Sequence, residues 1–244
     1  MIELRNLTKR FGDIVAVNRL TLSVLEGEIF GFIGPNGAGK TTTLRMMGGI
    51  LAPTEGSVVI NGIDMAEEPE KAKRRIGFIP DRPYLYEKLT GMEFLRFTAD
   101  LYGIGDGEFH EKSEKVLKQF FLYHWSDELI ECYSHGMKQR LIISAAILHD
   151  PKVIVVDEPM VGLDPAGIRM VKSLFRNLAK KGTTIFMSTH TLGVAEDLCD
   201  RIGIIHKGSL IATGTMDELM LRAQVKEMDL EEVFMILTEG ESVP

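Results

Sequence analysis

Apolar and polar residues alternate through LTLSV (20–24), a period of two that predicts a strand with one buried face. IFGFI (29–33) and VIVV (153–156) are continuous apolar runs, the pattern of strands covered on both sides in a parallel sheet. Val58 to Ile60 closes on Asn61-Gly62, a strong hairpin turn. From Gly91 the period changes. Met92, Leu95, Ala99 and Tyr102 recur at helical spacing, and after the glycine-rich break GIGDG a second helical stretch covers 116–121. The apolar run LIISAAIL after YSHGMKQR predicts another helix, with Ser134 just ahead of its start. Ile168, Val171, Phe175 and Leu178 share one face of a helix beginning at Pro165, and TTIFMS and RIGIIH then read as strands around one more helix. Strand and helix in alternation imply a mostly parallel, doubly wound sheet with an all-helical insert.

Composition adds exclusions. A chain of 244 residues, 45% apolar and 26% charged, is an ordinary globular protein with enough length for a sizeable core. The 28 basic and 35 acidic residues leave a net charge of −7, which argues against bulk attraction to nucleic acid or anionic lipid. Cys132 and Cys199 stand far apart in no CxxC pattern, so neither a disulfide framework nor a zinc site is expected, and a reducing cytoplasm fits. No apolar run approaches the length of a bilayer span and no signal-peptide core opens the chain. Direct membrane insertion is therefore not expected, and a role at a membrane requires a partner.

The chemistry begins at GPNGAGKTT, formed by Gly34, Pro35, Asn36, Gly37, Ala38, Gly39, Lys40, Thr41 and Thr42. It follows an apolar strand and precedes a helix, so successive backbone N–H groups and the helix N-terminus converge on one anion. In such a P-loop Lys40 reaches the β and γ phosphates of a nucleotide and Thr41 holds magnesium. A second acidic site lies in VIVVDEP, where Asp157 and Glu158 emerge at the C-terminal edge of a buried strand. Neighbours on a strand point to opposite sides, so the two carboxylates are expected to divide the work. Asp157 is the candidate metal ligand and Glu158 the candidate general base.

The order of these motifs, P-loop, YSHGMKQR, VIVVDEP, GLD and then a histidine after a strand, resembles the nucleotide-binding domain of an ABC transporter over nearly the whole chain. The resemblance implies that Phe11 stacks on adenine, although an aromatic there also suits a strand-end core position. It implies that Ser134, His135, Gly136 and Met137 belong to the signature segment, that Asp164 closes the D-loop, and that His190 is the switch histidine. Lys40, Glu158 and His190 are then the catalytic set, with Thr41 and Asp157 on magnesium. Two domains would pair head to tail, Ser134 and the Gly136 amide binding the γ phosphate held by the other copy.

This sequence departs from the family pattern at Tyr133, His135 and Met137 of the signature. At the Q-loop position it carries Asp81, which when ionised can accept hydrogen bonds but not donate them. The expected architecture is an α/β P-loop NTPase core with a mostly parallel sheet, an antiparallel N-terminal β subdomain and a helical insert. One domain would span 1–244, with its core in 1–80 and 150–222, a loop and helical subdomain over 81–149, and a short helical tail over 223–244. The resemblance implies a cofactor pair of ATP and Mg2+, a second ATPase domain as homo- or heterodimer partner, and a transmembrane permease docking near DRPYLYEK. The protein would sit on the cytoplasmic face of the cell membrane through that permease, and the chain's end soon after Met216 favours the drug, ion or lipid exporter branch. A soluble ABC ATPase of macromolecular or cluster assembly is the alternative reading.

Overall fold

The computed structural model describes residues 1–82, 84–226 and 228–239. Pro83 of the expected docking segment and residues 227 and 240–244 of the expected tail lie outside them. Strand β1 (Ile2–Phe11) pairs antiparallel with β2 (Ile14–Val24), and β3 (Ile29–Ile33) then leads through the P-loop into α1 (Lys40–Met47). A hairpin of β4 (Glu55–Ile60) and β5 (Ile63–Asp64) turns at Asn61-Gly62 as expected, followed by α2 (Pro69–Lys73) and β6 (Ile76–Ile79). Helices α3 (Gly91–Tyr102), α4 (Asp106–Gln119) and α5 (His135–Ile147) separate β6 from β7 (Val153–Asp157). The remainder alternates α6 (Pro165–Lys180), β8 (Thr184–Thr189), α7 (Leu192–Leu198), β9 (Arg201–His206) and β10 (Ser209–Gly214), ending in α8 (Met216–Arg222) and α9 (Leu230–Glu239).

Two sheets result, and the expected fold class is borne out. One has the order β2-β1-β4-β5 and is antiparallel; the other runs β10-β9-β3-β8-β7-β6 and is parallel except at its β10–β9 edge. Residues 20–24 alternate buried and exposed as the periodicity predicts, and every residue of β3, β7 and β8 is buried. The second helix of the insert differs from expectation. It starts at Asp106, inside the GIGDG segment, because Asp106 and Glu108 favour a helix N-terminus; only Gly103 takes the left-handed conformation that ends α3. It also ends at Gln119, before Phe121.

The insert is pegged to the sheet at one carbonyl. His149 Nε2 lies 3.1 Å from Ile76 O, Tyr102 Oη approaches the same oxygen at 3.4 Å, and the two rings stack with centroids 3.6 Å apart. Among the described residues no helix is long and apolar enough to cross a membrane.

Candidate functional site

β3, β7 and β8 are adjacent and paired in register, Ile33 opposite Thr189 and Asp157 opposite Ser188, so their C-terminal ends open at one level. The P-loop leaves the first of these ends, Asp157 and Glu158 the second, and Thr189-His190 the third. A cavity of about 290 Å³ collects them, lined by Asn36, Gly37, Gly39, Lys40, Thr41, Thr42, Asp81, Asp157, Glu158 and His190, with Ala16 from β2. Gly39 caps α1 at φ 109°, and a Cβ there would sit 2.5 Å from Ala16 O, so the turn into the helix has no room for a side chain.

Lys40 is buried, and its Nζ donates to Gly34 O at 2.6 Å and Pro35 O at 3.2 Å. Desolvation lowers its pKa, against the pull of Glu158 and Asp157, which favour the charged form. Thr41 Oγ1 donates to Asp157 Oδ2 at 2.7 Å, and Ser188 Oγ donates to Asp157 Oδ1. The second carboxylate differs from the strand-alternation expectation. Glu158 takes a left-handed φ of 51° just beyond β7, which turns its side chain into the same cavity as Asp157 rather than to the other side of the sheet. The division of partners survives. Glu158 Oε2 accepts from Thr189 Oγ1 at 3.2 Å and its Oε1 lies 2.8 Å from His190 Nδ1, whereas the Thr41 and Ser188 hydroxyls bond Asp157; Ser188 meets Glu158 only through its carbonyl, which accepts from the Glu158 N–H at 3.1 Å.

Ser188 and Thr189 are residues that sequence reasoning missed, two hydroxyls that each fix one carboxylate. Their signal is the position of S-T-H at the end of a buried strand. Hydroxyl and carboxylate oxygens facing a polyphosphate nest form the hard donor set that suits magnesium, so the residues present fit that ion.

The remaining expected residues form a second cluster. Ser134 caps α5 by accepting from the Met137 N–H at 3.3 Å, and Asp164 caps α6 by accepting from the Gly167 N–H at 2.8 Å. Ser134, His135, Gly136 and Asp164 line one cavity of about 500 Å³ with Phe121 and Arg140. The His135 ring covers Gly162, whose φ is 78°, so a Cβ on Gly162 would fall on the imidazole. Phe11 is not brought to the nucleotide-sized cavity. It stands half exposed at the end of β1, with Lys9 Nζ 5.2 Å from its ring centroid.

The geometry is that of an ATP-binding cassette, and comparison with known proteins gives the same class. The ABC transporter family profile matches residues 17–161. The bacitracin transport ATP-binding protein BcrA of Bacillus licheniformis is 41% identical over 91% of this chain and 72% of its own length. A solved ATP-binding subunit of an ABC transporter superposes with a TM-score of 0.93 at 34% identity, covering 97% of this chain and 99% of that one. A dimeric cassette in a post-hydrolysis state, bound to ADP and Pi, superposes at 0.79 with 28% identity over 88% of this chain and 99% of its own. The chain belongs to the ABC transporter family as an ATP-binding, ATP-hydrolysing cassette.

Proposed function

We propose that this cassette drives a membrane exporter through ATP-dependent head-to-tail dimerisation, with its permease on a separate chain. The observation that carries the nucleotide chemistry is the single cavity where Lys40, Thr41, Asp157, Glu158 and His190 converge. On binding, the γ phosphate replaces the Gly34 and Pro35 carbonyls as the partner of Lys40. Thr41 and Asp157 would hold Mg2+, which would supply charge neutralisation to the nucleotide's phosphates. Glu158 accepts the proton of the attacking water, and His190, fixed on its nearer side by Glu158 Oε1, donates toward the γ phosphate. Phe11, half exposed at the end of β1, offers one ring face to the adenine and leaves its other side open. Asp81, at the cavity wall, would offer the metal a carboxylate oxygen and, when ionised, has no donor for phosphate.

The transport reading rests on surface chemistry and relatives. A mainly apolar groove of about 350 Å³ is lined by Arg45, Ile50, Phe78, Pro80, Asp81 and Tyr84. Tyr84 is 73% exposed and Tyr86, edge-on to Phe97, is 60% exposed, an aromatic surface of the kind that takes a partner helix. The groove shares Thr41, Asp81 and Asp157 with the nucleotide cavity, so a permease helix seated there senses nucleotide directly. BcrA's description as a bacitracin transport protein favours an antibiotic or similar amphiphile as cargo. The test is purification from native membranes in mild detergent: a stoichiometric polypeptide with several membrane spans is expected, and a cytosolic complex lacking one overturns the transport reading.

A further inference from the structure

Helix α4 ends in a two-bond cap. The Leu122 N–H donates to Leu117 O at 2.8 Å and the Phe121 N–H to Lys118 O at 3.2 Å. This pairing puts the residue before Leu122 in the left-handed region, and Phe121 occupies it at φ 57°. Glycine usually stands there because a Cβ strains that backbone. Phe120 and Leu122 on either side are fully buried, so the Phe121 ring is driven outward and stands 75% exposed. The monomer thus bears backbone strain to hold an aromatic ring in water, a combination that is retained where a site uses it.

The position of the ring indicates the use. Arg140 Nη1 donates to Phe120 O at 3.0 Å and its Nε to Gly136 O at 3.2 Å, which bolts the Phe120–Phe121 turn to the first turn of α5. Phe121 therefore borders the same cavity as Ser134, Gly136 and Asp164. On the nucleotide side of the molecule, the β1–β2 turn leaves Ile14 70% and Phe11 49% exposed, and Ala16 of the same strand lines the nucleotide cavity. A head-to-tail pair sets the first surface of one copy against the second surface of the other.

We propose that Phe121 is an anchor of the ATP-closed dimer, its ring packing on the apolar turn formed by Phe11 and Ile14 of the partner subunit. This rests on Ser134 and Gly136 acting in trans. The contact exists only after closure, so it favours the closed state over the separated one, and a rigid aromatic at such a place dominates an interface out of proportion to its area. Each copy contributes one Phe121 and one receiving turn, so the two contacts form together.

The test uses full-length protein carrying Glu158→Gln, with dimerisation followed by sedimentation at saturating Mg-ATP. Phe121→Gly is expected to act with opposite signs on two readouts. It raises the unfolding midpoint of the nucleotide-free monomer by relieving strain, and it weakens the dimer about tenfold. Ile14→Ala is expected to weaken the dimer as well, and Phe121→Ala with Ile14→Ala to lose less than the product of the two single effects, the sign of direct contact. An unchanged dimer constant for Phe121→Gly, or effects of Phe121→Ala and Ile14→Ala that simply multiply, overturns the anchor while leaving the trans signature intact. Failure of Glu158→Gln alone to dimerise overturns the trans reading and the anchor with it.

Discussion

His190 Nδ1 lies 2.8 Å from Glu158 Oε1, so the ring at the end of β8 and the carboxylate at the end of β7 hold each other across the mouth of the nucleotide cavity. The histidine side chain is 60% exposed and the glutamate 15%, which leaves the ring's other edge free for a ligand while the carboxylate stays sheltered. The pair is expected to act as a unit. Glu158→Gln should lower ATP hydrolysis by about two orders of magnitude or more, and His190→Ala by roughly ten- to a hundredfold. The double variant should be little worse than Glu158→Gln, because removing either member already disarms the other. Phosphate release by the four proteins decides this; independent, multiplying losses would separate the two roles.

Lys40 is the only described side chain bonded to the carbonyls of both Gly34 and Pro35, so the cradle is held shut by the group that opens it. Lys40→Ala should lose Mg-ATP affinity by more than about tenfold, since a buried charge-assisted contact is removed. Calorimetric titration measures it. An affinity equal to wild type would mean that the backbone nest alone carries the triphosphate.

The stack of His135 on Gly162 links the signature to the D-loop within one chain. Gly162→Ala should destabilise the fold by about 1–3 kcal/mol, from left-handed strain and collision with the imidazole together. Adding His135→Gly removes the collision and should recover part of that loss. Urea denaturation of the two variants checks the partition, and no recovery would place the whole penalty in the backbone.

His149 gives the fold a pH dependence. Burial drives its pKa down to about 4, against the opposing pull of the Ile76 carbonyl and Asp150. The unfolded chain binds this proton from about pH 6.5 downward while the folded one refuses it until about pH 4. Its contribution is therefore complete above about pH 6.5 and is lost as pH falls across that window, by up to about 3 kcal/mol. His149→Phe keeps a ring against Tyr102 and should flatten the slope of stability between pH 6.5 and 4. Chemical denaturation at several pH values reads it, and a variant as acid-sensitive as wild type would assign the slope to other groups.

Much of this was legible in the chain because it is local. The alternation in 20–24, the Asn61-Gly62 turn and the glycines of the phosphate loop each declare their geometry within a few residues. Ser188 and Thr189 did not announce themselves, since a hydroxyl in a strand reads only as β-propensity. Their importance depends on β8 lying beside β7, a neighbourhood that periodicity does not encode. Glu158 misled for a related reason. Strand alternation assumes that the strand continues, whereas β7 stops at Asp157 and the backbone turns left-handed at the next residue. Phe121 was hidden because a phenylalanine after a helical run looks like core, and only the cap hydrogen bonds turn it outward.

The strand order also sets when the catalyst can exist. β8, residues 184–189, is threaded between β3 and β7, both made earlier in the chain. A polypeptide still growing on the ribosome already carries the phosphate loop and both acidic residues, but the slot between their strands stays empty until Thr189 is free of the exit tunnel. His190 arrives with that same strand. A chain that stops short of β8 thus lacks Ser188, Thr189 and His190, the groups that hold Asp157 and Glu158 in place, so the hydrolytic centre is completed by the last strand to enter this part of the sheet.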